Sequence, residues 1–376
     1  MADPPAVLVS GASFAGLATA FWLTRLGYRV TIVEAANGLR RGGTPVDIEG
    51  ETIEVLSEMG MIDAVRAKAL PPREFVFKDA ADRTLGGLTA SRPEDAASAR
   101  YEIHRDDLLD ILFAAVEGAV EWRFGCAIAA LENGPNCVSV TFTDGSQGDY
   151  ALLFGCDGNR SNTRALAFAD AGAASYYMGG YFYLRVVMET GLLPADRTQV
   201  FSVPGRTAML NGYEDRTDIA LAFRSATPID YDFRDKAQQR RIVHDHFDGM
   251  GWKVPEMLAH VDAEGDFYFD QASQIRMAKW STGRIALVGD AGYCVSPVAG
   301  FGGSMALIGA SRLAKALRHH PDDHEAAFGA YEAGLRPFVE AVQERAATTG
   351  MAMLFPADEA ELEARDRKIR AGAIDF

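Results

Sequence analysis

The segment covering residues 6–34, AVLVSGASFAGLATAFWLTRLGYRVTIVE, decides the fold. It begins with a short apolar run typical of a buried strand, and the glycine turn from Gly11 to Gly16 separates that run from residues with helical apolar spacing. Gly27 suits the C-terminus of the helix, and a second apolar strand ends at the acidic residue Glu34. Strand, glycine turn, helix, strand and acid in this order predict a dinucleotide-binding βαβ unit.

The glycine turn departs from the usual fingerprint at one position. Gly11 and Gly16 hold the first and third glycine positions, but Ser13 replaces the second glycine. A serine side chain is small, so we expect a pyrophosphate to dock against the turn all the same. Glu34 follows Gly16 by 18 positions, close to the spacing of about 20 expected for an acid that binds a ribose hydroxyl. The alternative is a turn that only packs a helix on a strand.

Composition narrows the class of protein. The chain has 376 residues, 48% hydrophobic and 24% charged, which predicts a globular protein of two domains or of one domain with an inserted lobe. A formal net charge of −15 argues against nucleic acid or an anionic membrane as a partner. The four cysteines show no C-x-x-C spacing, and neither a leader nor an apolar run of about 18 residues is evident. We therefore expect a cytoplasmic protein.

A second glycine-rich stretch lies near the C-terminus. The apolar strand within Gly283–Gly292 ends at the pair Gly289-Asp290, and the glycine-rich loop Ser296–Ser304 leads into an amphipathic helix predicted from about Ser304 to Arg318. Glycines let the backbone approach a ligand closely, and a helix start points free N–H groups and partial positive charge at it. Asp290 is placed to accept hydrogen bonds from ligand hydroxyls.

Three further segments carry polar residues next to predicted strands or helices. An apolar strand at residues 152–156 ends at Asp157-Gly158, with Arg164 shortly after it. The loop at residues 40–48 is rich in arginine and glycine, and its alternative interpretation is a solvated basic turn. Arg105 lies where another helix opens, and the acids that follow it suit the helix dipole.

The residue composition and pattern change in the middle of the chain. Dense aromatic residues at 176–183 and spaced strands up to residue 275 predict a largely antiparallel sheet, inserted as a separate lobe. We also predict a helix over residues 52–69, a loop over 90–99 and a strand over 122–131. After residue 325 the spacing predicts a long helix kinked at its proline, followed by a charged tail.

The glycine turn at 11–16, Asp157-Gly158 and Gly289-Asp290 together resemble the class A flavoprotein aromatic hydroxylases of the para-hydroxybenzoate hydroxylase type. Within that group, the segment at 42–47 and the loop at 299–302 are most similar to the tetracycline-modifying FAD monooxygenases. The resemblance covers essentially the whole chain. It implies an α/β fold with a Rossmann-like FAD-binding domain, an inserted, largely antiparallel β-sheet substrate domain and a long C-terminal helix.

The resemblance also implies domain limits and cofactor contacts. The FAD-binding domain would comprise residues 1–71, 99–171 and 272–324, the substrate domain residues 72–98 and 172–271, and residues 325–376 would pack on both. By position, the resemblance implies FAD or nicotinamide contacts at Gly11, Ser13, Gly16, Glu34, Arg40, Asp47, Arg105, Asp157, Gly158, Arg164, Gly289, Asp290, Pro297, Gly300, Gly302 and Gly303. Phe301 and Ser304 depart from the family, which usually has Gln and Asn there.

The reaction implied is hydroxylation of a small aromatic or polycyclic compound, similar to a tetracycline or polyketide. NADPH or NADH reduces FAD, O₂ adds to give a flavin C4a-hydroperoxide, and no catalytic side chain or metal is needed. A monomer is expected. One alternative is a flavin-dependent halogenase, although the Trp-x-Trp-x-Ile-Pro segment of those enzymes is absent. The others are an oxidoreductase without oxygen insertion and a non-catalytic FAD- or drug-binding protein.

Overall fold

A computed structural model describes residues 3–89, 100–169, 172, 174–188 and 191–371. The loop predicted over residues 90–99 lies outside the described residues. Within the described ranges, no helix is both long and apolar enough to cross a membrane.

The strands follow one another along the whole chain. In chain order they are β1 Ala6–Ser10, β2 Arg29–Glu34, β3 Val46–Glu49, β4 Glu74–Lys78, β5 Thr84–Thr89, β6 Arg100–Ile103, β7 Glu121–Phe124, β8 Ile128–Asn133, β9 Val138–Phe142, β10 Gln147–Tyr150, β11 Leu152–Gly155, β12 Ser175–Val187, β13 Arg197–Val203, β14 Arg206–Gly212, β15 Thr217–Arg224, β16 Tyr268–Ile275, β17 Ser281–Thr282 and β18 Ile285–Leu287.

The helices fall mainly between the strands of the parallel sheet and at the C-terminal end. They are α1 Phe14–Arg25, α2 Glu51–Glu58, α3 Ile62–Ala67, α4 Arg105–Ala114, α5 Asn162–Ala167, α6 Lys236–Phe247, α7 Val254–Asp262, α8 Asp290–Tyr293, α9 Gly302–His319, α10 His324–Arg345, α11 Met351–Leu354 and α12 Glu359–Arg370, with a 3₁₀ turn at Pro297–Ala299 and a π-helical turn at Ala346–Gly350.

The first sheet has the order β17-β18-β11-β1-β2-β7, and all its neighbouring strands are parallel except the edge pair β17–β18. Helix α1 is buried along Phe14–Leu23 because the sheet covers one side of it and α9 packs on it as well. The carboxyl ends of β1, β2, β11 and β18 meet at one edge, where open α/β sheets bind their ligands. The predicted βαβ unit is confirmed.

The second sheet has the order β16-β12-β15-β14-β13-β4-β5 and is antiparallel except where β13 pairs with β4. One of its faces packs against α6 and α7 through Tyr181, Leu221 and Phe223. The other face meets the C-terminal elements, where Phe182 contacts Phe355 and Ile369 of α12 packs on Phe77. The inserted, largely antiparallel sheet is therefore present as predicted.

Several local predictions were wrong, and most failed at a glycine. The helix predicted over residues 52–69 is two helices, since Gly60 takes a positive φ of 74° between α2 and α3. The strand predicted over 122–131 is split by Gly125, which has φ 65° and donates its N–H to the Ala36 carbonyl. Helix α7 was not predicted. The long helix predicted after residue 325 is present as α10, which contains Pro337 and ends at Arg345.

Candidate cofactor and substrate cleft

The glycine turn after β1 leaves no room for side chains at two positions. Gly11 has a φ of 106°, and a Cβ placed there would overlap the carbonyl oxygen of Cys156. A Cβ on Gly16 would overlap the carbonyl oxygen of Gly11. These glycines let β1, β11 and the first turn of α1 pack together, so the start of α1 opens onto the sheet edge.

Arg105, the first residue of α4, ties the glycine turn to the arginine-glycine loop. Its guanidinium donates to the carbonyls of Arg40 (3.0 Å) and Gly42 (3.1 Å) and to the Ser13 hydroxyl (3.2 Å). Burial lowers the pKa of Arg105, and neighbouring Asp106 opposes that shift. Ser13, the departure from the glycine fingerprint, therefore helps to hold a half-buried cation beside the start of α1.

Glu34, at the end of β2, faces the same turn. Its carboxylate accepts from the N–H of Ala12 at 3.0 Å and from the N–H of Ala36 at 2.9 Å. The Arg40 guanidinium lies 3.8 Å from it, and the Arg40 side chain is 74% exposed. Arg40 is therefore at the rim of the cleft, the space bordered by the glycine turn, Asp290 and the start of α9. The structure brings Glu34 to the glycine turn, as the βαβ pattern predicts.

Gly289 and Asp290 follow β18 and begin the short helix α8. Gly289 has a φ of 67°, and a Cβ there would lie 3.0 Å from the Cβ of Ala15 in α1. Burial raises the pKa of Asp290 above its ordinary value, and the Cys294 thiol opposes the shift. The side chain of Asp290 nevertheless stays partly open at the surface of the cleft. It is thus a carboxylate with limited solvation at the edge where the glycine turn lies.

Three residues that follow β11 support this edge, namely Asp157, Gly158 and Arg164. The Asp157 carboxylate accepts from the Thr163 N–H (2.8 Å) and hydroxyl (2.9 Å), which fixes the first turn of α5. Arg164 is buried and donates to the carbonyls of Ala291 (2.7 Å) and Asn159 (2.6 Å). Gly158 supplies the positive φ of 79° that the turn needs. The structure therefore gives Asp157 and Arg164 protein partners that position the Asp290 turn.

The floor of the cleft is the start of α9. Gly300 has a φ of 65° just after the turn that Pro297 begins, and Gly302 and Gly303 then open the helix. A Cβ on Gly303 would lie 3.4 Å from Phe14 and from Val46, so Gly303 packs against both side chains.

The two departures from the family pattern have structural roles in this chain. The Ser304 hydroxyl donates to the Asp47 carbonyl at 3.1 Å, and Phe301 packs edge-on against Phe338 at 5.9 Å. The Asp47 carboxylate itself pairs with Arg100 across the β3–β6 ribbon, at 2.9 and 3.2 Å. The Asp47 backbone, rather than its carboxylate, therefore adjoins the start of α9.

Tyr268, on the edge strand β16, is a cleft residue that sequence reasoning missed. Its side chain is 40% exposed, yet surrounding protein raises its pKa well above the ordinary value. The nearby charges of Asp270, Cys294 and Asp290 add to that shift, while Arg160 opposes it. Tyr268 is therefore an exposed tyrosine that lies close to Asp290. Only the alternation of residues in the strand could have indicated it.

These features suit a phosphate-bearing, hydroxyl-rich cofactor. The glycine cradle admits close backbone approach, the start of α1 and Arg105 favour an anion, and Asp290 can accept hydrogen bonds from hydroxyl groups. The start of α9 offers further amide N–H groups across the cleft from α1. The glycine turn and the Asp290 turn each follow a strand of the parallel sheet, and α9 begins shortly after the Asp290 turn, so the fold itself brings these elements together.

Comparisons with known proteins agree with this geometry. The family described as FAD binding domain matches residues 5–346. An uncharacterised protein of Mycobacterium tuberculosis (strain ATCC 25618 / H37Rv) is 38% identical over 345 residues, which cover 89% of this chain and 90% of the relative. A flavin-dependent monooxygenase of an unknown prokaryotic organism is 32% identical over 375 residues, covering 97% and 95%. The crystal structure of tetracycline destructase Tet(55) matches with a TM-score of 0.85 and 31% identity, over 100% of this chain and 99% of that chain.

Proposed function

Since this chain belongs to the FAD binding domain family and is a flavin-dependent monooxygenase of the aromatic hydroxylase type, we propose that it uses NADPH or NADH and O₂ to hydroxylate a small aromatic or polycyclic compound. The observation that carries the proposal is the convergence of Arg105, Asp290 and the start of α9 on the glycine-lined sheet edge. When bound, FAD supplies the hydride acceptance and oxygen activation that no side chain can provide.

In this proposal the parallel-sheet edge holds the cofactor's polar groups. The start of α1 and the Arg105 guanidinium neutralise the pyrophosphate, which suits an arginine already kept from water. Glu34 accepts from an adenosine ribose hydroxyl with the lone pairs that Ala12 and Ala36 leave free. Asp290 accepts from hydroxyls of the ribityl chain, and those hydrogen bonds offset the desolvation of its carboxylate.

The start of α9 is proposed to stabilise negative charge on the flavin ring. A helix of 18 residues carries partial positive charge at its first turn, and its first N–H groups lack intrahelical acceptors. The glycines at 302 and 303 keep side chains away from that turn. This arrangement offers fixed dipoles where charge develops, which costs no reorganisation when the reaction occurs.

The substrate lies, in this proposal, between the cofactor edge and the face of the second sheet opposite α6 and α7. That face carries apolar residues beside Tyr268, which would exclude water from the reacting atoms. Similarity to a tetracycline destructase supports a polycyclic, oxygen-rich substrate resembling a tetracycline or another polyketide.

The test begins with purified protein loaded with FAD. Hydroxylation predicts that an aromatic ligand stimulates NADPH or NADH oxidation, that O₂ is consumed, and that a product heavier by one oxygen atom forms. Tetracyclines, anthraquinones and simple phenols are the panel. A chlorinated or brominated product in the presence of halide would indicate a halogenase instead. FAD binding with no ligand-stimulated oxidation across the panel would favour a binding protein and contradict the hydroxylase proposal.

A further inference from the structure

A buried polar cluster lies at one end of the second sheet, where β14 turns into β15. Asp218 is only 1% exposed, and neither of its carboxylate oxygens has a hydrogen-bond partner in the described part of the chain. The same holds for the Tyr213 hydroxyl and for two guanidinium nitrogens of Arg73. Arg73 pairs with Glu102 through its remaining nitrogen, and its guanidinium lies 4.4 Å from the Tyr213 ring centroid.

The cluster adjoins the cofactor cleft from the substrate side. The Tyr213 ring packs edge-on against His104 at 5.0 Å, and His104 directly precedes Arg105. Glu102 pairs in the β3–β6 ribbon with Asp47, the residue whose carbonyl accepts the Ser304 hydroxyl at the start of α9. The cluster therefore lies between the second sheet and the two elements that border the cleft.

Strand alternation places Asp218 on the sheet face away from α6 and α7. Its neighbours Ile219 and Leu221 pack into the core beneath those helices, so Asp218 and Ala220 point to the opposite side. On that side, Ala220 lies across from Met209 in β14. The side chains next to Asp218 on that face are thus small at Ala220 and flexible at Met209, so they can move aside more easily than branched or aromatic side chains.

The charges around Asp218 do not neutralise its carboxylate. Arg73 is shared with Glu102, and Arg216 at the turn pairs with Asp215. Burial raises the pKa of Asp218 to about 7, with Arg73, Arg216 and Tyr213 opposing the shift and Glu102 adding to it. The Tyr213 hydroxyl is thus close enough to act on Asp218, although the two do not form an aligned hydrogen bond. Leaving a buried carboxylate without a donor is costly, so such groups call for an explanation.

We propose that Asp218 is the substrate-recognition residue of this monooxygenase and accepts a hydrogen bond from a phenolic or enolic hydroxyl of the aromatic substrate. This inference rests on the proposed function, because it presumes that the substrate lies between the second sheet and the flavin edge. It narrows the substrate class to compounds with a hydrogen-bond donor on the ring system. Tyr213 and Arg73 lie close enough to Asp218 to favour its charged form, while Glu102 disfavours it.

The test compares ligands that differ only in the donor. FAD-loaded wild type, Asp218→Asn and the control Asp215→Asn are titrated with 2-naphthol against 2-methoxynaphthalene, and with 2-hydroxyanthraquinone against 2-methoxyanthraquinone. Changes in the flavin absorbance spectrum give the Kd. Asp215 is a matched control because it lies at the same turn, is more exposed and pairs with Arg216.

We expect wild type and Asp215→Asn to bind the hydroxyl compound of at least one pair about tenfold more tightly than its ether, as for a hydrogen bond to a charged group. Asp218→Asn should lose that preference while binding the ether unchanged. An undiminished preference in Asp218→Asn overturns the proposal, and so does a wild type without preference in either pair, including one that responds to none of the four compounds.

A purely structural role for the cluster gives a different result. If Asp218→Asn fails to fold with FAD, Asp218→Ser is titrated by the same criterion, and loss of FAD-bound protein in both overturns the proposal. The proposed function fails separately. FAD-loaded protein that never couples NADPH oxidation to oxygen insertion contradicts the hydroxylase, whereas a working hydroxylase without an Asp218-dependent preference contradicts only this inference.

Discussion

Polar groups have hydrogen-bond partners at the edge of the parallel sheet but lack them at the seam, which is the cluster of Asp218 and Tyr213 beside the second sheet. At the edge, Glu34, Asp157 and Arg164 each find partners in backbone groups of nearby turns. At the seam, Asp218 and Tyr213 are more deeply buried than Glu34 and Asp157 but lack aligned partners. This difference indicates that polar groups on the proposed cofactor side already have partners within the protein. Buried groups on the proposed substrate side remain free to bind a ligand.

The contrast also follows from chemistry. A cofactor has the same shape in every turnover, so its site gains from rigid glycine turns and fixed dipoles. Recognition of a particular substrate requires groups that become satisfied only when it binds. Changes at the edge should therefore cost cofactor binding, and changes at the seam should alter substrate choice and stability.

The largest expected effect is at Gly16. Gly16→Ala places a Cβ on the Gly11 carbonyl oxygen, so the packing of β1 against α1 must shift. We expect loss of FAD binding and of most soluble protein, measured as FAD per chain after purification. Gly38→Ala is the control, since a Cβ there meets nothing within 4 Å. Normal FAD content in Gly16→Ala would show that the cradle is not as tight as described.

Arg105→Ala should have the next largest effect. It removes a half-buried cation that three hydrogen bonds fix beside the glycine turn. One hydrogen bond from this charged group to the pyrophosphate contributes about 1.5–3 kcal/mol, so FAD should bind up to about 100-fold more weakly. Arg83→Ala, at a surface residue whose side chain is 80% exposed, is the control. Fluorescence titration of the apoprotein with FAD measures both, and equal Kd values would remove Arg105 from the site.

Asp290→Ala should weaken FAD binding by about tenfold, the value of one hydrogen bond from a hydroxyl to a carboxylate. The loss is smaller than at Arg105 because removal of the side chain also removes the cost of keeping a desolvated carboxylate. Asp245→Ala, at an exposed position of α6, is the control. The same titration measures the Kd for FAD. Stoichiometric FAD binding with the wild-type Kd would contradict the role of Asp290.

How far the sequence predicts each region depends on how local its signals are. Gly11, Gly16 and Glu34 lie within one βαβ unit, so spacing alone predicts their meeting. Asp290 follows a strand whose parallel neighbour could be inferred from the same rule. Asp218 is adjacent to Arg73 and Glu102 only through tertiary packing, and Tyr268 reaches the Asp290 turn from a strand of the other sheet. No periodicity in a single segment carries that information.

The last expected effect is on stability rather than on cofactor binding, and it is a pH-dependent gain for Asp218→Asn. Burial raises the folded-state pKa of Asp218 to about 7, above its ordinary value, so ionisation destabilises the fold as pH rises toward 7. The variant should therefore gain stability over wild type by about 2 kcal/mol more at pH 8 than at pH 5. Urea unfolding at both pH values measures this. A gain that does not change with pH would mean that Asp218 has a partner in the folded protein.

The central claim is that the parallel-sheet edge holds one FAD and that the flavin performs oxygen insertion. The most direct measurement combines FAD-loaded protein, NADPH and ¹⁸O₂ with the panel of tetracyclines, anthraquinones and phenols, followed by mass spectrometry. The account predicts a product that carries one ¹⁸O atom, formed by wild type and not by Arg105→Ala at limiting FAD. Products without ¹⁸O, or NADPH oxidation that yields only hydrogen peroxide with every compound, would contradict it.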